Sequence, residues 1–552
     1  MTGTTEPKNQ KRRSPPILRT EGKMQNRLRE FTSHLALATS CVFVLASCSS
    51  SEPQSSAPST PAETSVSSTS ASATCADISG LSLDYTEISM AETVAPGAFS
   101  PPPNPMARPA DYSGMPEFCR VAGSIKPTES SDIRFEAWLP TESNWNGKFM
   151  QVGNGGAAGS LMYGSMAEPL SRGYAVVHTD TGHKGTAGDF SWAFDAPEKL
   201  IDYQYRAVHE LTVKGKAITE ARYGEAPEKA YWFGCSTGGR QGLKEAQRFP
   251  EDYDAIIAGA PANNWGPLQL YSILALNSLG ENGLPISKLP MLKAASVGQC
   301  DANDGLEDGI ISAPQTCNFR PEALTCQPDD DVSSCLTEQE VSAAERLYAG
   351  IVLNDGTTVF PGSGFGSETD WGVYATPFFR IGTSYMQNVV LKDKDWDPST
   401  LDMDADLKRA WAVDQGEMTA MEPDLTDFIG NGGKLLMYHG TTDGIIAYGN
   451  TRNYYESIIE TMGQDAIEDS VQFITVPGMG HCGGGDGASQ IDWISALESW
   501  DETGAKPVKL TGTKPGSDPV MSRPVCAYPQ SVIYDGEGDP SSADSFACKD
   551  PS

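Results

Sequence analysis

Short apolar runs recur along the chain at Phe149 to Gly153, Tyr174 to His178, Ala230 to Gly234, Ala255 to Ala258, Lys434 to His439 and Val471 to Val476. They are too short for helices and lack polar alternation, so each reads as a strand buried on both faces. Helix-length segments lie between them, which predicts an α/β fold around a mostly parallel sheet. Between Pro261 and Gly433 the pattern lapses: Gly, Pro, Cys and Asp punctuate it, and Trp371, Phe378, Phe379 and Tyr385 crowd one stretch. Residues 262–430 therefore read as an inserted second domain, after which the chain returns to the same sheet. No internal repeat is visible.

The start of the chain has a different texture. Arg27 and Arg29 precede an apolar run from Leu35 to Ala46 that ends in Leu45-Ala46-Ser47-Cys48. The run falls short of the ~20 residues of a spanning helix and reads as an export signal. Its ending resembles a lipobox, whose cysteine becomes the lipidated first residue of a bacterial lipoprotein and a membrane tether. A signal cleaved without lipidation is the alternative. Residues 1–23 add nothing to it, and Met24 is a second candidate start. From Ser49 to Ala73 the chain is almost only Ser, Thr, Pro, Ala and Glu, suited to a flexible tether. The expected segments are a signal at 1–48, a linker at 49–74, a core at 75–261 and 431–552, and the insertion at 262–430.

Over all 552 residues, 39% are hydrophobic and 20% charged, the profile of a folded protein. Lys and Arg number 40 against 72 Asp and Glu, a net charge of −32, and no block gathers enough cations to follow a phosphate backbone. Nucleic acid is not an expected partner. Of 12 cysteines, Cys41 and Cys48 fall in the signal. The rest are Cys75, Cys119, Cys235, Cys300, Cys317, Cys326, Cys335, Cys482, Cys526 and Cys548. None forms a C-x-x-C pair, so a zinc ribbon is not expected; an even number in an exported chain predicts disulfides. Spacing alone leaves their connectivity open.

Gly234-Cys235-Ser236-Thr237-Gly238-Gly239 follows one predicted strand and precedes a predicted helix from Arg240. A serine on so tight a turn presents its hydroxyl clear of the sheet, and small neighbours permit the bend. A serine nucleophile needs a base. Of the six histidines, His34 sits in the signal, His209 in a predicted helix, His178 and His439 in or at the end of buried runs, and His183 before a loop. His481, just past the last predicted strand, is the candidate base, and the other five read as structural. The third member should be a carboxylate after a strand lying between the two, the Ser, Asp, His order of α/β-hydrolases. Asp443, past the run ending at His439, meets this; Asp404, Asp414 and Asp424 follow no comparable strand. Cys235 precedes the serine and Cys482 follows the histidine, so a disulfide joining them would keep the pair within reach. A second cluster, Cys300-Asp301-Ala302-Asn303-Asp304-Gly305-Leu306-Glu307-Asp308-Gly309-Ile310, can gather carboxylates of Asp301, Asp304 and Asp308 with carbonyls of Leu306 and Ile310 around a hard cation, calcium rather than magnesium. Cys317 could close this loop onto Cys300. An acidic surface turn is the alternative.

Gly234-Cys235-Ser236-Thr237-Gly238-Gly239-Arg240, Asp443 and Gly478-Met479-Gly480-His481-Cys482 together resemble the tannase and feruloyl esterase family, from about Cys75 to Cys548. That resemblance implies an α/β-hydrolase core with a lid domain, a structural calcium held by Asp301, Asp304, Leu306, Asp308 and Ile310, and no organic cofactor. It implies the pairings Cys75 with Cys119, Cys235 with Cys482, Cys300 with Cys317, Cys326 with Cys335, and Cys526 with Cys548. It places the oxyanion hole at the amides of Thr237 and Gly156. Terephthalate-monoester hydrolases of the family carry a glutamate at the Thr237 position, which disfavours that narrower activity. Thr441-Thr442 departs from the usual Trp-Ala before the aspartate and alters the expected pocket wall. The expected function is a secreted or surface-tethered serine esterase acting on small aromatic esters of hydroxycinnamoyl or galloyl type. The alternatives are a mono(2-hydroxyethyl) terephthalate-type hydrolase, a non-catalytic calcium-containing binding protein, or a metal-dependent hydrolase. Lid aromatics between Trp371 and Tyr385, with Arg380, are candidates for substrate contact or for lid packing.

Overall fold

A computed structural model describes residues 72–102, 111–281 and 283–550. The export signal, Cys48, His34 and most of the Ser/Thr/Pro segment lie outside them. Among the described residues no helix is long and apolar enough to cross a membrane.

The chain enters through three strands, β1 (Thr86–Val94), β2 (Phe118–Ile125) and β3 (Ile133–Pro140), and continues through β4 (Lys148–Val152), β5 (Ala175–Thr179), β6 (Lys229–Cys235) and β7 (Ala255–Gly259). A small hairpin, β8 (Ile351–Val352) and β9 (Thr358–Phe360), lies in the insertion. Then come β10 (Lys434–Gly440), β11 (Val471–Val476), β12 (Lys509–Thr513), β13 (Ser522–Ala527) and the terminal pair β14 (Ser531–Tyr534) and β15 (Phe546–Lys549). Eleven strands form one sheet in the order β1-β2-β3-β5-β4-β6-β7-β10-β11-β13-β12. From β5 to β11 neighbours are parallel, while both flanks are antiparallel.

The six predicted runs are the six parallel strands. Successive side chains leave a strand on opposite faces, and here both faces are covered. Phe149, Val177, Trp232, Ile256, Met437 and Phe473 join one apolar core, and their neighbours Met150, Val176, Tyr231, Ile257, Tyr438 and Ile474 join the other. The antiparallel flanks were not foreseen: β1 is half exposed along its length, and its polar alternation carries no continuous apolar signal.

Between β7 and β10 the chain is mostly helical apart from the β8–β9 hairpin, and Trp265, Tyr271, Leu347, Trp371, Tyr374 and Tyr385 within it share one apolar core. That core also takes in Phe190 and Tyr203, so the insertion rests on the loops above β4 and β5.

Candidate active site

Ser236 caps the helix Thr237–Arg248 directly after β6, at φ +63° and ψ −122°. A non-glycine residue in that region is strained and needs a surrounding that holds it. Its amide donates to the Gly259 carbonyl (2.9 Å), and its carbonyl accepts from the amides of Arg240 and Ala262 (both 3.1 Å). Gly234 is required for the bend, since a Cβ there would stand 2.5 Å from the Gly238 backbone. The Thr237 amide heads the helix, where no preceding turn supplies an acceptor.

Asp443 follows β10 and is 1% exposed. Its Oδ1 accepts from the amides of Ile445 (2.8 Å) and Ile446 (2.9 Å). Its Oδ2 lies 2.7 Å from His481 Nδ1 and 3.1 Å from His439 Nε2. Burial pushes the carboxyl up, but the His481 charge and the hydrogen bonds from His439 and His481 outweigh it and hold the group well below the usual carboxylate range. His481 keeps 19% of its side chain exposed, so its outer face opens to the site.

The disulfide Cys235–Cys482 joins the residue before the serine to the residue after the histidine, with Cα atoms 6.0 Å apart. Cys482 also has positive φ, +63°. The other disulfides are Cys75–Cys119, Cys300–Cys317, Cys326–Cys335 and Cys526–Cys548. Gly156 sits at φ +53°, and a Cβ there would meet the Ala187 carbonyl at 2.2 Å, so only glycine fits.

The other described histidines make the following contacts. His183 is buried, bonds the Ala157 carbonyl (2.8 Å) and stacks on Trp192 at 3.5 Å. His178 is fully buried and lies 3.4 Å from Asn154 Nδ2. His209 Nδ1 pairs with Asp252 (2.7 Å). His439 is structural too, but its contact with Asp443 makes it a support of the site, which its place in a buried run did not disclose. Thr441 and Thr442 tie the aspartate loop to the histidine loop: Thr442 Oγ1 donates to the Met479 carbonyl (3.0 Å), and Thr441 Oγ1 accepts from the Gly478 amide (3.1 Å).

The insertion closes over this end of the sheet. Tyr374 donates to the Ile445 carbonyl (2.7 Å), and a Cβ on Gly444 would meet Asp370 at 2.5 Å. Of the lid aromatics, Trp371, Tyr374 and Tyr385 are buried packing residues, whereas Phe378 is 78% exposed.

In the acidic loop, Asp301 accepts from the amides of Gly309 (2.8 Å) and Ile310 (3.2 Å), and Asp304 from those of Leu306 (3.0 Å) and Ser312 (3.2 Å). Asp308 pairs with Arg523 (2.6 Å). Burial, aided by the charge of Asp308, pushes the Asp304 carboxyl up to about 6 despite its hydrogen bonds from Ser312 and Leu306. All these donors are oxygens, the type a hard cation takes, but among the described residues the three carboxylates do not bring their ligating oxygens within 4.8 Å of one another.

A serine on a strand-to-helix elbow, with an aspartate and a histidine after later strands of a mostly parallel sheet, defines an α/β-hydrolase. Within that class the chain belongs to the tannase and feruloyl esterase family: residues 119–549 match the family described as Tannase and feruloyl esterase. It is 35% identical over 462 residues to probable feruloyl esterase B-2 of Aspergillus terreus, covering 78% of this chain and 86% of that one. It is 34% identical over 460 residues to feruloyl esterase C of Talaromyces stipitatus, covering 79% and 86%. The crystal structure of feruloyl esterase B from Aspergillus oryzae superposes with a TM-score of 0.81 at 30% identity, covering 86% of this chain and 99% of that one.

Proposed function

We propose that the protein is an exported serine esterase that hydrolyses small aromatic carboxylic esters of feruloyl or galloyl type through an acyl-enzyme. The observation that carries this reading is the Asp443–His481 hydrogen bond of 2.7 Å on a loop bonded covalently to the Ser236 elbow. With Nδ1–H committed to Asp443, Nε2 of His481 is the basic nitrogen and takes the proton of Ser236 Oγ as that oxygen attacks the ester carbonyl. The amides of Thr237 and Gly156 bind the oxyanion. His481 returns the proton to the departing alcohol, then activates the water that cleaves the acyl-enzyme. Asp443 stays ionised throughout and stabilises the imidazolium.

Asp301, Asp304 and Asp308, with the carbonyls of Leu306 and Ile310, would hold a calcium ion whose contribution is structural. A Cβ on Gly478 would meet Ile310 at 3.1 Å, so this loop braces the start of the histidine loop. In this reading the Cys48 lipid, where added, tethers the enzyme outside the cell.

The test is a hydrolysis screen over methyl ferulate, methyl p-coumarate, methyl gallate and mono(2-hydroxyethyl) terephthalate, run beside Ser236→Ala. Turnover of the first three with a loss of about 10³-fold or more in the variant is expected. Retained activity in Ser236→Ala refutes the mechanism.

A further inference from the structure

The Gly156 carbonyl accepts two hydroxyl donors from distant parts of the chain: Tyr203 Oη (2.8 Å) and Thr237 Oγ1 (2.8 Å). Its neighbours are equally committed. The Ala157 amide donates to the Ala187 carbonyl (2.8 Å), and the Ala158 amide to the Gly155 carbonyl (3.0 Å). Because a peptide unit is planar with N–H and C=O antiparallel, fixing the Gly155 carbonyl fixes the direction of the Gly156 N–H. Fixing the next carbonyl stops the turn from rocking about Gly156, the residue whose missing side chain leaves it freest to move.

Tyr203 is built for such a task. It is fully buried and lies in a π-helical stretch, Asp202–Arg206, between the helices Pro197–Ile201 and Ala207–Tyr223. Such stretches are rare and re-aim side chains, frequently at functional sites. Its ring meets Phe190 at 5.5 Å and Trp265 at 6.0 Å, both edge-on, and the Arg240 guanidinium lies 5.2 Å above it. Arg240 also donates to the Tyr203 carbonyl (3.2 Å) from the helix that starts after Ser236. Tyr203 is thereby tied to the nucleophile's helix at one end and to the oxyanion loop at the other. Burial pushes its hydroxyl up to about 12, so it remains a donor at any working pH.

We propose that Tyr203 is a positioning residue of the oxyanion hole: its hydroxyl, together with that of Thr237, holds the Gly156–Ala157 peptide so that the Gly156 amide is aimed before substrate arrives. Thr237 then serves twice, as a donor through its amide and as a strut through its side chain. The inference rests on the oxyanion role given to Gly156 above.

The experiment compares the full chain with Tyr203→Phe, Thr237→Val and the double variant, reading kcat, KM, Tm and inhibition by phenylboronic acid, whose adduct with Ser236 places an oxygen in the hole. Losing an oxyanion donor outright costs about 10²–10³ in kcat, so a misaimed one should cost less, about 5- to 50-fold. In Tyr203→Phe, kcat is expected to fall within that range with KM nearly unchanged, and phenylboronic acid affinity to weaken by a similar factor. The double variant should lose at least the product of the single losses, since each hydroxyl by itself holds the carbonyl only in part. A kcat unchanged in Tyr203→Phe overturns the proposal, as does a loss that follows Tm while phenylboronic acid affinity stays constant. Thr237→Val leaves the Tyr203 ring packing intact and carries the same test should the phenylalanine variant fold poorly. Activity retained in Ser236→Ala would instead refute the esterase mechanism, whatever Tyr203 does.

Discussion

Asp443 shows how a buried carboxylate is kept charged. Its oxygens face two amides and two histidines, and these outweigh the desolvation that would otherwise raise its pKa. A group depressed in the folded state contributes stability above its unfolded pKa, about 3.9, that is lost as pH falls through the folded value. Asp443 is therefore expected to stay ionised below its unfolded pKa. Asp443→Asn should keep the fold but lower kcat by about 10⁴, because the amide favours the wrong tautomer of His481. Steady-state kinetics alongside circular dichroism check this, and a loss under tenfold would remove Asp443 from the mechanism. Ser236, Asp443 and His481 were legible because each sits in a local pattern tied to a strand end. His439 and Tyr203 were not, since a histidine closing a buried strand and a tyrosine in a helix look like ordinary core residues until the chain brings Asp443 and Gly156 against them.

Among the elements, the bond between the serine and histidine loops has the widest reach. Cys235 and Cys482 are 247 residues apart, and closing so long a loop stabilises by about 5 kcal/mol in the chain-entropy treatment. The double variant Cys235→Ser/Cys482→Ser should lose several degrees of Tm. At 25 °C, while still folded, it should also show a reduced kcat as the base drifts from the nucleophile; an unchanged kcat would mean the loops need no clamp. The far end of the nucleophile's helix poses a different problem. Glu245 is 1% exposed with neither oxygen partnered, and its ligating atom lies within 4.8 Å of those of His209 and Asp252. His209 already pairs with Asp252 at 2.7 Å, and Lys216 donates to the Asp252 carbonyl, so the arrangement suits a proton on Glu245 rather than a cation. Burial, then the charge of Asp252, pushes the Glu245 carboxyl well up. An acid raised on folding costs stability as pH climbs above its unfolded pKa of about 4.3, at about 1.4 kcal/mol per pH unit, until the folded value is reached. Glu245→Gln should therefore gain Tm over the parent at pH 8 to 9 and lose that advantage near pH 5. A Tm difference flat across this range would show that Glu245 is not held protonated.

At the scale of the molecule, core and insertion meet where the aspartate, histidine and acidic loops converge, so events in one are felt in the others. Chelation with EDTA should lower Tm by several degrees, calcium should restore it, and activity should decline only as the fold loosens. Immediate loss of activity at unchanged Tm would point to a catalytic metal instead. The parallel centre of the sheet was readable because strands covered on both faces must be apolar at every position, a condition visible in a few consecutive residues. The edge strands answer to solvent on one side and blend with loops. The insertion announced itself only as a break in that pattern, since its helices are short and their apolar residues answer to partners far along the chain. Local chemistry thus marked the serine elbow and the family resemblance, both carried by a few consecutive residues. Which hydroxyls hold the Gly156 carbonyl, which second histidine contacts the aspartate and which aromatic of the insertion reaches solvent were decided by tertiary structure, because each depends on packing between segments whose separation in sequence carries no information about their distance in space.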